Sequence, residues 1–311
     1  MVLASLFMTV VQQKGAPVKI LCSILALLAA LCLPVTHAAT ATGGDAGAAK
    51  PKAAASDTFP LRAKYIDVTI LETANLDKRF NEVVVVDVRT KYEYDTLRIK
   101  DAALIPVTDR TFVDQVRKLR ESTPKPIVFY CNGKTCAKSY DAVLYAMNAR
   151  IPNVLCYDAG IDDWARAYPG RTELLGKSPV KVEDLITHDK FKGHLLDPKA
   201  FEAKIGAASI VLDVRDRAQR DSLLFPSRGE QRASLEDKDK LDPIIERAKK
   251  EKKTLLVYDQ VGKQVQWFQY YLESKGLKDY FFMKGGAQGY FDATLGKVSF
   301  GGKKKEEVKK P

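Results

Sequence analysis

The sequence predicts an α/β protein built as two repeated units, each a mainly parallel sheet flanked by helices, and three echoes spaced about 125 residues apart predict it. The valines Val83 to Val86 lead into Asp87-Val88-Arg89, and Ile210-Val211-Leu212 leads into Asp213-Val214-Arg215. Ile127-Val128-Phe129-Tyr130 before Cys131 is matched by Leu255-Leu256-Val257-Tyr258 before Asp259, and Ala159-Gly160 before Trp164 by Gly285-Gly286 before Phe291. These runs are continuously apolar, without alternation, as strands covered on both faces are. After Cys131, Ala137, Tyr140, Leu144 and Met147 fall on one helical face; after Asp259, Val265, Phe268 and Leu272 do the same. Strand, tight loop and helix are therefore expected around both positions.

The remaining segments follow in chain order. Ile20 to Leu33 is almost wholly apolar, follows Lys14 and Lys19, and gives way to Pro34 and the small pair Ala38-Ala39. Residues 1–38 read as a secretory signal, because a membrane span needs roughly 20 apolar residues and this run is shorter. The expectation is an exported protein, periplasmic in a Gram-negative cell, with no stable membrane span after cleavage. Residues 39–56, dominated by Ala, Gly, Thr, Lys and Pro, cannot build a core and read as a disordered linker. The first unit is expected over 57–177, the second over 178–300 and a basic disordered tail over 301–311. Arg217 to Lys240 is polar and charged and reads as a surface excursion open to a partner.

The formal charge is +11. For an exported chain this surplus reads as a solvated tail on a generally basic surface, and no nucleic-acid partner is expected. Of five cysteines, two fall in the signal, which leaves Cys131, Cys136 and Cys156. That number is too small, and odd, for a disulfide framework. Cys156 follows Val154-Leu155 and reads as core. His188 and His194 are the only histidines beyond the signal, and no Cys/His group has metal-ligand spacing, so no metal or cofactor is expected.

The chemistry concentrates in Cys131-Asn132-Gly133-Lys134-Thr135-Cys136-Ala137-Lys138-Ser139. In an open α/β sheet, ligands bind at the carboxyl ends of strands. The amide N–H groups of such a loop, with those of the first helical turn, lack internal partners and converge as an anion cradle. That field favours a thiolate and is expected to lower the pKa of Cys131, making it a nucleophile. Gly133 permits the tight path, and Lys134 and Lys138 would add positive charge. The competing reading of Cys131 is a buried structural cysteine.

These residues resemble the rhodanese family, also called the thiosulfate sulfurtransferase family, over both units. Asp87-Val88-Arg89 is similar to the opening strand motif of that family. Glu93-Tyr94 through Ala102 to Ile105-Pro106 is similar to its segment E-[FY]-x-x-G-H-I-x-x-A-x-x-I-P, and Asp158-Ala159-Gly160 with Trp164 to its closing G-G-x-x-x-W. The resemblance implies a tandem two-domain form in which only the first domain keeps the active cysteine. It also implies a double displacement. Cys131 would take the outer sulfur of a small anionic donor such as thiosulfate, hold it as a persulfide and pass it to a thiophilic acceptor such as cyanide or a thiol, without a cofactor.

In that likeness the substrate-binding loop is Asn132, Gly133, Lys134, Thr135, Cys136 and Ala137. Leu97-Arg98 stands where the family often has Gly-His, so Arg98 is a candidate for pocket charge or a surface residue. Asp87 and Arg89 are expected to be structural, a brace at the strand end. The loop departs from the family in placing its glycine third and in carrying Cys136, which reads either as packing or as a resolving thiol that attacks a Cys131 persulfide and closes a disulfide. Asp259 cannot hold a persulfide, so the second unit is expected to be silent, walling the first unit's pocket or offering a surface to a protein partner. Two alternatives stand beside this reading. A phosphatase or arsenate reductase on the related scaffold needs an arginine to grip its oxyanion, where this loop has Ala137 and Lys138. A non-catalytic binding or sulfur-carrier protein would act with one dedicated partner.

Overall fold

The computed structural model describes residues 58–216, 219 and 224–295. The expected signal over 1–38, linker over 39–56 and tail over 301–311 lie outside the described residues. Among the described residues no helix is long and apolar enough to cross a membrane.

The first half runs α1 (Thr73–Lys78), β1 (Val84–Asp87), α2 (Lys91–Thr96), β2 (Leu97–Ile99), β3 (Ala103–Leu104), α3 (Phe112–Ser122), β4 (Ile127–Tyr130), α4 (Lys138–Asn148), β5 (Val154–Tyr157), α5 (Gly160–Ala167) and β6 (Thr172–Leu174). The second runs α6 (His188–Gly193), β7 (Leu195–Leu196), α7 (Pro198–Ala203), β8 (Ser209–Asp213), β9 (Gln231–Arg232), α8 (Lys238–Lys250), β10 (Thr254–Tyr258), α9 (Val265–Ser274), β11 (Tyr280–Met283) and α10 (Gly286–Leu295). Besides an antiparallel ribbon of β2 and β6, the described residues form two larger sheets, in the orders β3-β1-β4-β5 and β9-β8-β10-β11-β7. Every pairing in them is parallel.

The order is the same in both halves, with β9, β8, β10 and β11 in the places of β3, β1, β4 and β5. Even β7 has a counterpart, because Ile70 bridges Cys156 on the outer side of β5 as β7 pairs with β11. The sequence echoes are therefore a duplicated topology. The central strands explain why the apolar runs are unbroken. Ile127 to Tyr130 and Leu255 to Tyr258 are buried at every position, since helices cover both faces of each sheet.

Three local expectations are corrected. In α4 the buried positions are Ser139, Tyr140, Ala142, Val143 and Ala146, whereas Met147 is exposed and Ala137 precedes the helix. Tyr140 is buried as expected, and Ala137 and Leu144 pack partly against the same core; Ser139, Ala142, Val143 and Ala146 complete the face in place of Met147, because small side chains let α4 lie close to the sheet. In α9, Val265, Phe268 and Leu272 are all fully buried. Second, α5 and α10 open on Gly160 and Gly286, both with positive φ, so Tyr290 and not Phe291 stands where Trp164 does. Third, the polar stretch after Arg217 is not only an excursion. It supplies β9, which pairs with β8, and it buries Phe225, Ala233 and Leu235.

The two halves share an apolar seam. Trp267 and Tyr270 of α9 lie in one core cluster with Leu97, Trp164, Val180 and Leu185. The Trp267 ring sits 5.0 Å from the Arg89 guanidinium, a cation–π contact across the seam. The Tyr270 hydroxyl accepts the Ile186 amide hydrogen at 3.1 Å. This packing sets the second half against the loop that follows β4.

Candidate functional site

The site is built outward from the end of β1. Arg89 grips Asp87 with two parallel bonds, Nε to Oδ1 at 2.9 Å and Nη2 to Oδ2 at 2.6 Å, and both side chains are fully buried. The Tyr130 hydroxyl donates to the same carboxylate at 2.6 Å, and Arg89 Nη2 donates to the Leu97 carbonyl at 2.6 Å. The remaining arm, Nη1, donates to Asn132 Oδ1 at 3.2 Å. Asn132 Nδ2 in turn donates to Glu93 Oε1 at 2.9 Å, and Glu93 closes a capping box with Thr90 at the start of α2. The side chain of Asn132 is thus spent on anchoring the loop. Burial pushes the Glu93 carboxyl up, but Arg89 and Lys138 outweigh it and leave Glu93 below its ordinary value.

The two loop cysteines divide differently from the expectation. Cys131 turns inward, fully buried in the cluster of Phe129, Tyr140, Val143 and Cys156. Its sulfur donates to the Cys136 carbonyl oxygen at 3.3 Å and lies 3.4 Å from Ser139 Oγ. Burial pushes this thiol well above its ordinary value, the opposite direction to the lowering expected at Cys131, because a charge surrounded by hydrocarbon loses more hydration than the loop returns. Cys136 is half-buried at the cleft wall. A hydrogen bond from Cys131 comes first among the causes that draw its thiol down to about 6; burial opposes, and the amides of Asn132 and Lys138 and the Lys138 charge reinforce. The loop's amides and the Lys138 charge thus favour ionisation at the second cysteine over the first.

A cleft of about 700 Å³ opens beside Cys136. Gly133, Lys134, Thr135 and Ala137 line one wall, and Lys263, Gln264 and Gln266 of the second half line the other. Its two loop lysines are not free charges. Lys134 Nζ lies 2.8 Å from Asp163, and Lys138 Nζ lies 3.8 Å from Glu93. Arg98 is not in the cleft at all; it pairs with Glu173 and lies 4.6 Å from the Tyr94 ring centre, because β2 carries it to the ribbon with β6. Among the described residues no group of three or more His, Cys, Asp or Glu is placed to hold a metal ion. Sequence reasoning gave no site role to Ser139 or Glu93, and named the second half as a wall without the residues that form it, Lys263, Gln264 and Gln266. Only Glu93 left a local signal, in the spacing Thr90-x-x-Glu93.

Gly133 also differs from its expected role. A Cβ there would meet the Ala159 carbonyl at 3.4 Å, an ordinary contact. The glycine the loop requires is Gly160, at φ 72°, where a Cβ would stand 2.6 Å from both the Asn132 carbonyl carbon and Gly133 Cα. Gly160→Ala is expected to cost about 2 kcal/mol or more and to push the loop outward. The measurements are a lower melting temperature and slower alkylation of Cys136 at neutral pH.

The second half shows what the cradle holds when no cysteine is present. The Ala287 amide bonds the Asp259 carbonyl at 2.8 Å as the Ile161 amide bonds that of Cys131 at 3.0 Å, so the two positions are equivalent. The Asp259 carboxylate accepts the amides of Val261 at 3.0 Å, Gln264 at 2.6 Å and Val265 at 3.2 Å, and that of Gly262. The loop is an anion cradle filled by its own first side chain.

Residues 72–167 match the family model of the Rhodanese-like domain. This segment is a rhodanese-like domain. Solved structures similar to the chain include a rhodanese-related protein from Thermoplasma volcanium, 20% identical, covering 32% of this chain and 92% of that one at a TM-score of 0.26. A rhodanese-like domain from Anabaena sp. is 23% identical over 38% of this chain and 89% of that one, at 0.31. A thiosulfate sulfurtransferase from Pseudomonas aeruginosa is 19% identical over 74% of this chain and 45% of that one, at 0.31. No curated protein matched the chain. The rhodanese-like domain spans α1 to α5 and so contains both loop cysteines, with Cys136 presented to the cleft and Cys131 behind it.

Proposed function

We propose that the chain is a sulfurtransferase-type protein whose rhodanese-like domain carries sulfane sulfur on Cys136. The observation that carries this reading is the half-buried Cys136 at the wall of an open cleft, where the amides of Asn132 and Lys138 and the Lys138 charge draw its thiol down. With thiosulfate as donor, the Cys136 thiolate attacks the outer sulfur. The bond between the two donor sulfurs breaks, its electron pair leaves with sulfite, and Cys136 becomes a persulfide anion. The donors that favour the thiolate favour this anion too, and they are in place before reaction. Transfer to cyanide or a thiol returns the thiolate.

The charge balance bears on the donor. Lys134 and Lys138 are matched by Asp163 and Glu93, and the third lysine of the cleft, Lys263, shares its lining with the carboxylates of Asp141 and Asp162, so the cleft offers little surplus charge to a doubly charged anion. The same balance favours, as a second reading, a carrier that exchanges sulfur with one partner protein. The test is the intact mass of the full chain after incubation with thiosulfate and, in parallel, with inorganic tetrasulfide. One added sulfur that reductant removes, or the sulfide released from it, is expected with wild type, and neither with Cys136→Ser. Equal addition to Cys136→Ser would overturn the assignment, and no addition to either with both donors would leave the partner-bound carrier.

A further inference from the structure

The two cysteines of the loop stand in contact, one facing water and one sealed. Cys131 Sγ donates to the Cys136 carbonyl oxygen at 3.3 Å, so the buried sulfur lies directly against the backbone of the residue that faces the cleft. A tight turn brings them together, with the Cys136 amide donating to the Gly133 carbonyl at 2.8 Å. Cys131 is fully buried, so no outside thiol or donor reaches it, and the partner within its reach at the cleft is Cys136. Ser139 Oγ, itself buried, lies 3.4 Å from the Cys131 sulfur and braces it from behind.

We infer that Cys131 is the internal acceptor of the sulfur that Cys136 carries, so that the site releases sulfide and closes a Cys131–Cys136 disulfide. This rests on the reading of Cys136 as the carrier and reverses the order of the two cysteines expected from the sequence. The step balances as it stands. Cys131 sulfur attacks the inner sulfur of the Cys136 persulfide; the Cys131–Cys136 bond forms and the bond to the outer sulfur breaks. Its electron pair leaves with the outer sulfur, which also takes the Cys131 proton, so persulfide anion and thiol give disulfide and hydrosulfide. The sulfane sulfur gains two electrons, and each cysteine loses one.

The disulfide then sets what must follow. Cys136 is its accessible sulfur, so an incoming thiolate attacks there and Cys131 leaves into the core. A second thiol on the same reductant is needed to free Cys136, which makes a dithiol the reductant class. The site would thus sit between a reaction that generates sulfane sulfur and one that maintains a dithiol pool.

The test uses the full chain and its Cys131→Ser variant, loaded with thiosulfate or inorganic tetrasulfide without added thiol. Wild type is expected to release sulfide and to yield, after trypsin cuts following Lys134, two peptides joined through Cys131 and Cys136. Cys131→Ser is expected to hold its sulfur as a persulfide and to release at least about 10-fold less sulfide. A stable persulfide on wild type without the joined peptides, or equal sulfide from both proteins, overturns the inference. If neither protein takes up sulfur, the carrier reading of Cys136 is what fails. Diamide oxidation of wild type needs no sulfur donor and then decides the pairing: a Cys131–Cys136 link supports it, and its absence overturns it.

Discussion

Cys136→Ser is expected to slow sulfur uptake by about 10³-fold or more, because a serine hydroxyl in the same place is neither ionised nor a soft nucleophile near neutral pH. The pH profile separates this from mere damage. Cys136 is drawn down to about 6, first by the hydrogen bond from Cys131. The thiolate is the reactive form and is populated above its pKa, so uptake should rise through about pH 6 and level off by about pH 7. An ordinary cysteine, with a pKa of about 8.5, would still be gaining rate at pH 8. Iodoacetamide labelling read peptide by peptide gives the same curve without a sulfur donor. Cys131 and Cys156 are raised by burial and sealed in the core, so they should label only after unfolding. Labelling of Cys131 as fast as Cys136 in the folded protein would remove the assignment.

Arg89→Met should be the most destabilising single change near the site. It leaves the fully buried Asp87 carboxylate without its ion-pair partner and strips donors from the Leu97 carbonyl and Asn132. Breaking one side of a buried pair costs about 3–5 kcal/mol, which corresponds to a fall in melting temperature on the order of 10 °C for a body of this size. The double variant Asp87→Asn with Arg89→Met should recover part of the loss, since no unpaired charge then remains in the core. Arg89→Lys should not rescue, because an ammonium cannot hold Asp87, Leu97 and Asn132 with one planar group. Thermal melts of the three proteins check the ranking, and a neutral Arg89→Met would show that the brace contributes nothing.

The parts that were legible in the sequence share a physical cause. Strands covered on both faces must be apolar throughout, so Val84 to Val86, Ile127 to Tyr130 and their echoes mark the sheets by composition alone. Asp87 and Arg89 could be read as a brace because two opposite charges at the end of such a run have nowhere to go except to each other. The small residues that complete the buried face of α4 were not legible, because closeness to the sheet selects small side chains, which carry little weight in a hydrophobic pattern. β9 was missed because two residues at a sheet edge are too few to show any period.

The choice between Cys131 and Cys136 belongs to a different level. The spacing of the chain places two thiols, two lysines and a helix start after a buried strand, a pattern that suits an anion. Which sulfur ionises more readily depends on how much water and hydrocarbon surround each one, and those neighbours arrive not only from the adjacent α4 but from β5 and α9, far away along the chain. The same holds for the lysines, whose charge is cancelled by Glu93 and Asp163, and for Arg98, which β2 turns away. Local pattern is enough for a strand because a strand's environment repeats along itself. The ionisation of a side chain follows from the three-dimensional sum of what packs around it, and only the folded chain performs that sum.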